Sequence, residues 1–319
     1  MSTYYQIFGG KINVISADPS NPIRGQVWFN SGTPALKYAA LSPASWSSGG
    51  NMGTARYMLG GAGTQTAGLG FAGYVTSYVG STATEEYDGS VWTGGGNMGT
   101  ARLLLGSAGT QTAGLGFGGY STPSNKNNTE EYDGTSWTAG GNLATSRNRI
   151  GGAGTQTAAL AISGFLATSP GITSCEEYDG SSWTAGGTLP GGIASTAGTG
   201  TQTAALASGG GVGAPVSTSQ EYDGTSWTAG GNLASARGFL RGAGTQTSSV
   251  VFGGTNVTEE YNGTIFTVSA PMATARGYLG GCGTISAALG FGGKTTVLTA
   301  ATEEYSPPGA VITKTVTAT

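Results

Sequence analysis

The sequence predicts an all-β fold: a six-bladed β-propeller with four antiparallel strands per blade, preceded by a small N-terminal β-hairpin. Three observations predict it. One phrase recurs, so that "EEYDGTSWTAGGNLATSR" from Glu130 is echoed from Glu85, Glu176 and Gln220. Three markers each occur six times. Trp46, Trp92, Trp137, Trp183, Trp227 and Phe266 lie at steps of 46, 45, 46, 44 and 39 residues. "GTQT" begins at Gly63, Gly109, Gly154, Gly200 and Gly244, with "GTIS" at Gly283, and the third marker is Tyr87, Tyr132, Tyr178, Tyr222, Tyr261 and Tyr305. Finally, no segment has a 3.6-residue apolar period, and the 61 glycines in 319 residues would penalise a helix by ~1 kcal/mol each. Four short strands repeating every ~45 residues are the pattern of a propeller.

Residues 98–138 illustrate one unit. "ARLLLGSAG" reads as a first strand, "TQ" as a turn and "TAGLGFGGY" as a second strand. The variable loop "STPSNKNN" follows, then a third strand "TEEY" and a fourth around "SWT". Asp-Gly supplies the positive φ that a tight hairpin needs. A "DGTS" loop sets Tyr132 opposite Trp137 as an aromatic cross-strand pair. Runs such as "GGAG" and "AGLGF" suit strands crowded around an axis, while Tyr and Trp supply apolar burial on the outer strands.

The marker count predicts closure. Trp46 precedes the first complete unit, which Arg56 opens, and no Trp follows Tyr305. The strand around Trp46 is therefore expected to complete the last blade, leaving no loose sheet edge. The C-terminal "AVITKTVTAT" alternates like a strand and competes for that place. The expected organisation is an N-terminal hairpin arm over 1–39, the propeller over 40–306 and a tail, possible as an extra strand, over 307–319.

Charged residues, at 9%, fall far below the roughly 25% typical of globular chains. Of 16 carboxylates only Asp18 lies outside the repeated phrase. Arg56, Arg102, Arg147, Arg237 and Arg276 recur where the first strand begins, whereas the fourth unit has Ile193 there and Gln220 in place of the first Glu. Their joint loss suggests structural ion pairs with Glu85, Glu130, Glu176, Glu259 and Glu303. Independent drift within one unit would leave the same pattern.

Several classes of function are excluded. A net charge of −3 offers no basic stripe for nucleic acid, and no apolar run approaches the ~20 residues of a membrane span. No secretory leader is recognisable, so synthesis without a signal peptide is expected. The lack of histidine removes Ser-His-Asp triads, HExxH zinc sites and histidine-ligated copper. "GLGFAG" at Gly68 and "GLGFGG" at Gly114 match G-x-G-x-x-G but open no helix. Adjacent Glu85 and Glu86 point to opposite sheet faces and form no dyad by themselves. No catalytic residue, metal or cofactor is expected, and Cys175 and Cys282 read as small buried thiols.

The small-residue–Arg opening, the double glycines of "FGGY" at Phe117 and "FGG" at Phe252 and Phe291, and the following Tyr-Asp and Trp resemble kelch repeats over roughly residues 40–305. The period is shorter than the roughly 50 residues usual for kelch. "NPIRGQVWFNSGTPALKYA" from Asn21 resembles a hairpin element of tailed-phage virion proteins. Together they are similar to the Thr/Gly/Ala-rich kelch-type virion proteins of marine phages. The resemblance implies a non-enzymatic tail or particle-surface protein in several copies, held to other virion proteins through its N-terminal segment. Its variable loops would meet a host-surface glycan or protein. Kelch domains often place ligand-contacting arginines near the channel mouth, which marks Arg149 and Arg241; the loops add Tyr78, Asn125, Lys126 and Asn127. A bacterial carbohydrate-binding or glycan-hydrolysing propeller is the alternative.

Overall fold

The computed structural model describes residues 6–7, 10–75, 80–166, 168, 171–309 and 311–316. Among them there is no helix, and the chain divides into two compact units: Trp46–Tyr305, and Met1–Ser45 together with Ser306–Thr319. The larger unit holds six four-stranded antiparallel sheets, a propeller-like arrangement. In the second sheet the order is Gly106–Gly109, Gly114–Phe117, Thr129–Tyr132 and Trp137–Gly140. The other sheets begin with Gly60–Thr64, Gly151–Gly154, Ala197–Gly200, Leu240–Gly244 and Gly280–Thr284. The sixth takes its outermost strand, Ser45–Ser48, from before the first repeat, beside Thr302–Ser306.

The hairpin between third and fourth strands follows from its residues. Gly134 has φ 91°, a value that any side chain would strain. Asp133 Oδ1 accepts the N–H groups of Thr135 and Ser136 at 2.8 and 2.7 Å, an Asx turn that fixes the loop. Tyr132 then faces Trp137 in register, with ring centroids 5.0 Å apart. The same pair recurs in every sheet, from 4.5 Å for Tyr261–Phe266 to 5.2 Å for Tyr305–Trp46. Between sheets, Leu115 and Phe117 pack with Leu143, Ile150, Tyr178 and Trp183. Each such aliphatic or Phe side chain contributes about 1.5–3 kcal/mol of burial.

The innermost strands lie side by side, each beside that of the next sheet, and the sixth beside the first. Just before them, Met58, Leu104, Arg149, Ser195, Phe239 and Tyr278 all adopt φ between 55° and 60°, a region uncommon for non-glycine residues. Their backbones form a cycle. The N–H groups of Leu104, Arg149, Ser195, Phe239 and Tyr278 donate to the carbonyls of Met58, Leu104, Arg149, Ser195 and Phe239, and Met58 N–H donates to Tyr278 at 2.7 Å.

In the smaller unit, Asn13–Ile15 runs parallel to Val27–Asn30, which pairs antiparallel with Ala35–Leu41. Val311–Thr315 completes this sheet against Ala35–Leu41, so the C-terminal strand has its partner here and not in the sixth sheet. Asp18, the lone carboxylate outside the repeats, accepts from Lys37 Nζ at 2.7 Å, Asn30 Nδ2 at 2.7 Å and Trp28 Nε1 at 3.0 Å. Those bonds, Lys37 first, hold its pKa down to about 2. Asn30 Oδ1 receives the N–H groups of Gly32 and Thr33, which closes the Gln-Val-Trp-Phe-Asn-Ser hairpin.

Candidate functional site

The charges of the repeat are engaged within the scaffold. Arg56, Arg102, Arg147, Arg237 and Arg276 lie 2.8, 2.8, 2.9, 2.7 and 3.1 Å from Glu85, Glu130, Glu176, Glu259 and Glu303. Arg102 Nη1 also donates to Gly118 and Asn128 carbonyls at 3.0 and 2.6 Å. Glu130 Oε2 accepts from Gly99 N–H at 2.6 Å. Each pair therefore ties the loop between second and third strands to the segment leading into the first. Burial pulls the Arg102 pKa down to about 10 against the opposing pull of Glu130. In the fourth sheet Ile193 joins an apolar cluster, and the buried Gln220 Oε1 has no partner.

The second glutamate of each phrase joins neighbouring sheets. Glu86, Glu131, Glu177 and Glu221 accept from the hydroxyls of Tyr132, Tyr178, Tyr222 and Tyr261 at 2.5–2.6 Å. Glu260 accepts from Tyr305, and Glu304 from Tyr87 at 2.6 Å. The turn glutamines do the same work. Gln111 Nε2 donates to Gly68 and Tyr87 carbonyls at 3.1 and 2.8 Å, and Gln65 to Ala288 and Tyr305 at 3.0 and 2.8 Å. Sequence reading placed these glutamines in a turn and missed the staple. The available signal was chemical: a tight turn favours Gly, Asn or Asp, and has no use of its own for Gln.

With four strands antiparallel, the "TQT" and "DG" turns share one edge, and the six unlike loops share the other with the segments leading into each first strand. Asp88, Asp133, Asp179 and Asp223 stand on the turn edge, where serine or threonine hydroxyls and backbone N–H groups lower their pKa values. The loops of the other edge, residues 72–83, 118–128, 163–174, 209–218, 253–257 and 292–301, contain no Asp or Glu.

The residues singled out from sequence fall as follows. Tyr78 lies outside the described residues. Asn125 Nδ2 donates to Phe165 O at 3.1 Å while its Oδ1 accepts from Asn148 at 2.7 Å. Asn127 Nδ2 donates to Leu143 O at 3.0 Å, and Lys126 Nζ to Ser124 Oγ at 3.2 Å. Both half-buried asparagines thus hold the second loop against the third sheet. Arg149 lies over the Phe165 ring at 4.8 Å and the Phe239 ring at 5.6 Å, a cation–π contact on two sides. Arg241 leaves the fifth sheet past Gly281, where a Cβ would sit 2.9 Å from its own, and Nη2 reaches Leu59 O in the first sheet at 3.1 Å. Four of the other five sheets have glycine, and one alanine, at its position.

Around Arg149 the structure gathers aromatic rings that sequence reasoning did not single out. Phe239 stacks on Tyr278 at 3.9 Å, Tyr278 meets Tyr57 edge-on at 5.8 Å, and Tyr57 meets Tyr74 at 4.9 Å. Lys294 Nζ lies over Tyr57 at 5.5 Å. A cleft of about 160 Å³, lined in part by Arg149 and Phe239, opens at the loop edge, and a separate channel cavity of about 120 Å³ is lined by first strands of all six sheets. No protein-family model matches the chain, and no curated protein is significantly similar to it in sequence.

Proposed function

We propose that this chain is a non-enzymatic component of a tailed-phage virion, a closed six-bladed propeller whose loop edge meets the host surface. The cyclic Tyr–Glu bonds, the cycle of backbone bonds from Met58 to Tyr278 and the Ser45–Ser48 strand in the sixth sheet support closure. One observation carries the functional reading. The repeated arginines, glutamates and turn glutamines make ion pairs and hydrogen bonds inside the scaffold, whereas the six loops on one edge differ in length and composition. A rigid platform with variable loops is a recognition architecture. The virion assignment follows the resemblance of the 21–39 hairpin and the repeats, with the N-terminal segment as the attachment to other particle proteins. Imaging and mass spectrometry of purified particles test it: six-lobed discs on virions are expected, and absence of the chain from particles overturns the proposal.

A further inference from the structure

We propose that the interface between the fourth and fifth sheets is a seam that opens locally while the interfaces between the other sheets hold. Chain topology would mark a different place, the sixth sheet, whose outer strand comes from before the first repeat. That place carries the fastenings of the repeat: Tyr87 donates to Glu304 at 2.6 Å, Gln65 to Tyr305 O at 2.8 Å and Trp92 Nε1 to Thr302 Oγ1 at 2.9 Å. The Trp92 ring also lies 4.8 Å from Phe291. Between the fourth and fifth sheets the indole bond and the ring contact are both lost. Phe266 replaces the indole and Ser208 the phenylalanine, the register of Ser208 with Ser219 matching that of Phe291 with Thr302. Neighbouring interfaces lose less. The third and fourth sheets have Ile162 for the phenylalanine but keep an indole bond, from Trp227 Nε1 to Gly187 O at 3.2 Å. The fifth and sixth lose the turn glutamine to Ile285 but keep the Trp46 bond to Thr258.

Ser208 and Ser219 are each 1% exposed, and neither hydroxyl has a partner. A buried polar group without a hydrogen bond disfavours the closed state, and water reaching it on opening relieves that penalty. A second replacement restores bulk but not polarity. A Cβ at Gly116 of the second sheet would sit 2.9 Å from Phe71 of the first, and in the fifth sheet Val251 takes that place. The fourth sheet also lacks its clamp. Ile193 and Gln220 replace the ion pair, and Pro190, which has no N–H, stands where Gly99 donates to Glu130 at 2.6 Å. At the turn edge Tyr261 still donates to Glu221 at 2.5 Å, and Gln246 to Ala205 and Tyr222 carbonyls at 3.0 and 2.6 Å. Toward the centre Phe239 N–H still donates to Ser195 O at 3.1 Å. Opening therefore parts the outer strands and leaves the innermost ones joined. It gives the molecule one place to flex, and it stands whether or not the chain belongs to a virion.

The test is labelling of thiols in the native full chain by a neutral alkylating reagent, iodoacetamide. The third sheet already carries the buried thiol Cys175 where the fourth has Ser219 and the sixth Thr302, so cysteine is accommodated at this position. The background is Cys282→Ala, which copies Ala62 and Ala108 of other sheets. There the Ser219→Cys thiol should react at least about tenfold faster than Cys175 and than the Thr302→Cys thiol, the effect of about one lost hydrogen bond. Its rate should barely change in low urea, as local opening requires, while the other two follow global unfolding. Ser208→Phe with Val251→Gly should return the Ser219→Cys rate to that of the Thr302→Cys thiol. Phe266→Trp, a single and smaller change, should slow it in the same direction. Equal or faster reaction of Cys175 or of the Thr302→Cys thiol would overturn the seam. So would a Ser219→Cys rate that rises with urea as the others do, or one that neither closing variant slows.

Discussion

Arg102 and Glu130 are charged yet serve packing. A buried ion pair gives little net stability, but removing one partner strands the other at a cost of about 3–5 kcal/mol. The fourth sheet, with Ile193 and Gln220 in the corresponding places, is a natural version of the double replacement. Arg102→Ile and Glu130→Gln should each destabilise by about 3–5 kcal/mol, while the double variant costs clearly less than their sum. Urea denaturation of the four proteins in a double-mutant cycle measures this, and additive losses would show that the pair acts as two independent residues. A second residue-scale gap concerns the outer strands. Trp137 and Trp183 Nε1 donate to Thr84 and Thr129 Oγ1 of the preceding sheet at 2.9 Å. Phe266 stands in the fifth sheet where an indole stands elsewhere, and Ser219 Oγ of the fourth sheet is buried without a partner. Phe266→Trp should therefore stabilise by about 1 kcal/mol, read as a raised urea midpoint. A lowered midpoint would show that the site cannot admit the larger ring. The thiols are inert by the same accounting: both are free and buried, and burial pushes Cys175 up to about 11 and Cys282 up to about 12.

At the scale of the element, what could be read from sequence stops at the sheet's edge. The Tyr132–Trp137 register was legible because strand alternation and an Asp-Gly turn determine which residues face each other. The bonds between sheets were not, since they depend on how far apart two sheets pack and on which side chain spans that gap. Hence the second glutamate and the turn glutamine carried no readable role, although the sequence repeated both. The cleft was half legible: Arg149 and Arg241 stood out as departures from the repeat, but Ser195 and Phe239 belong to it only through a shared backbone angle. The intersheet phenols have a consequence for pH. Burial first, and the glutamate bond second, push Tyr87, Tyr132, Tyr178 and Tyr222 up to about 12. A phenol whose folded pKa exceeds the unfolded value of 10 favours the fold fully below pH 10, and this contribution disappears as pH climbs through about 12. Stability measured by urea midpoint should therefore decline between pH 10 and 12, together with tyrosinate absorbance. Tyr132→Phe, lacking the titrating group, should soften that decline at a neutral-pH cost of about 1.5–3 kcal/mol, the value of a hydrogen bond to a charged acceptor. An unchanged alkaline profile in this variant would remove the phenols as its cause.

At the scale of the whole molecule, the question is whether the sheets make a ring or a row. In a row the first and last sheets would each present an unpaired face, and bonds between neighbours would number one fewer than the sheets. Here Tyr87 of the first sheet donates to Glu304 of the sixth, Gln65 reaches Ala288 and Tyr305, and Trp92 Nε1 donates to Thr302 Oγ1 at 2.9 Å. Each of these repeats, across the first and sixth sheets, a bond that joins consecutive sheets elsewhere. In the closed ring proposed above, one short segment, Ser45–Ser48, would carry the duty of a full outer strand in the sixth sheet. Trp46 fulfils it as its counterparts do: its Nε1 donates to Thr258 Oγ1 at 2.9 Å and its ring meets Phe252 at 5.0 Å and Tyr305 at 5.2 Å. A propeller fastened this way should respond to loss of Trp46 as it does to loss of an indole within a continuous repeat. Trp46→Ala and Trp92→Ala are expected to destabilise equally, by about 3 kcal/mol, near the lower end for aromatic truncation because both indoles keep some exposure. Both should leave a single unfolding transition, since a ring distributes the damage among all its sheets. If Trp46→Ala costs under about 0.5 kcal/mol, the level of an ordinary surface substitution, or if a separate early transition appears for the sixth sheet, the strand is a loose flap and the closed ring is wrong.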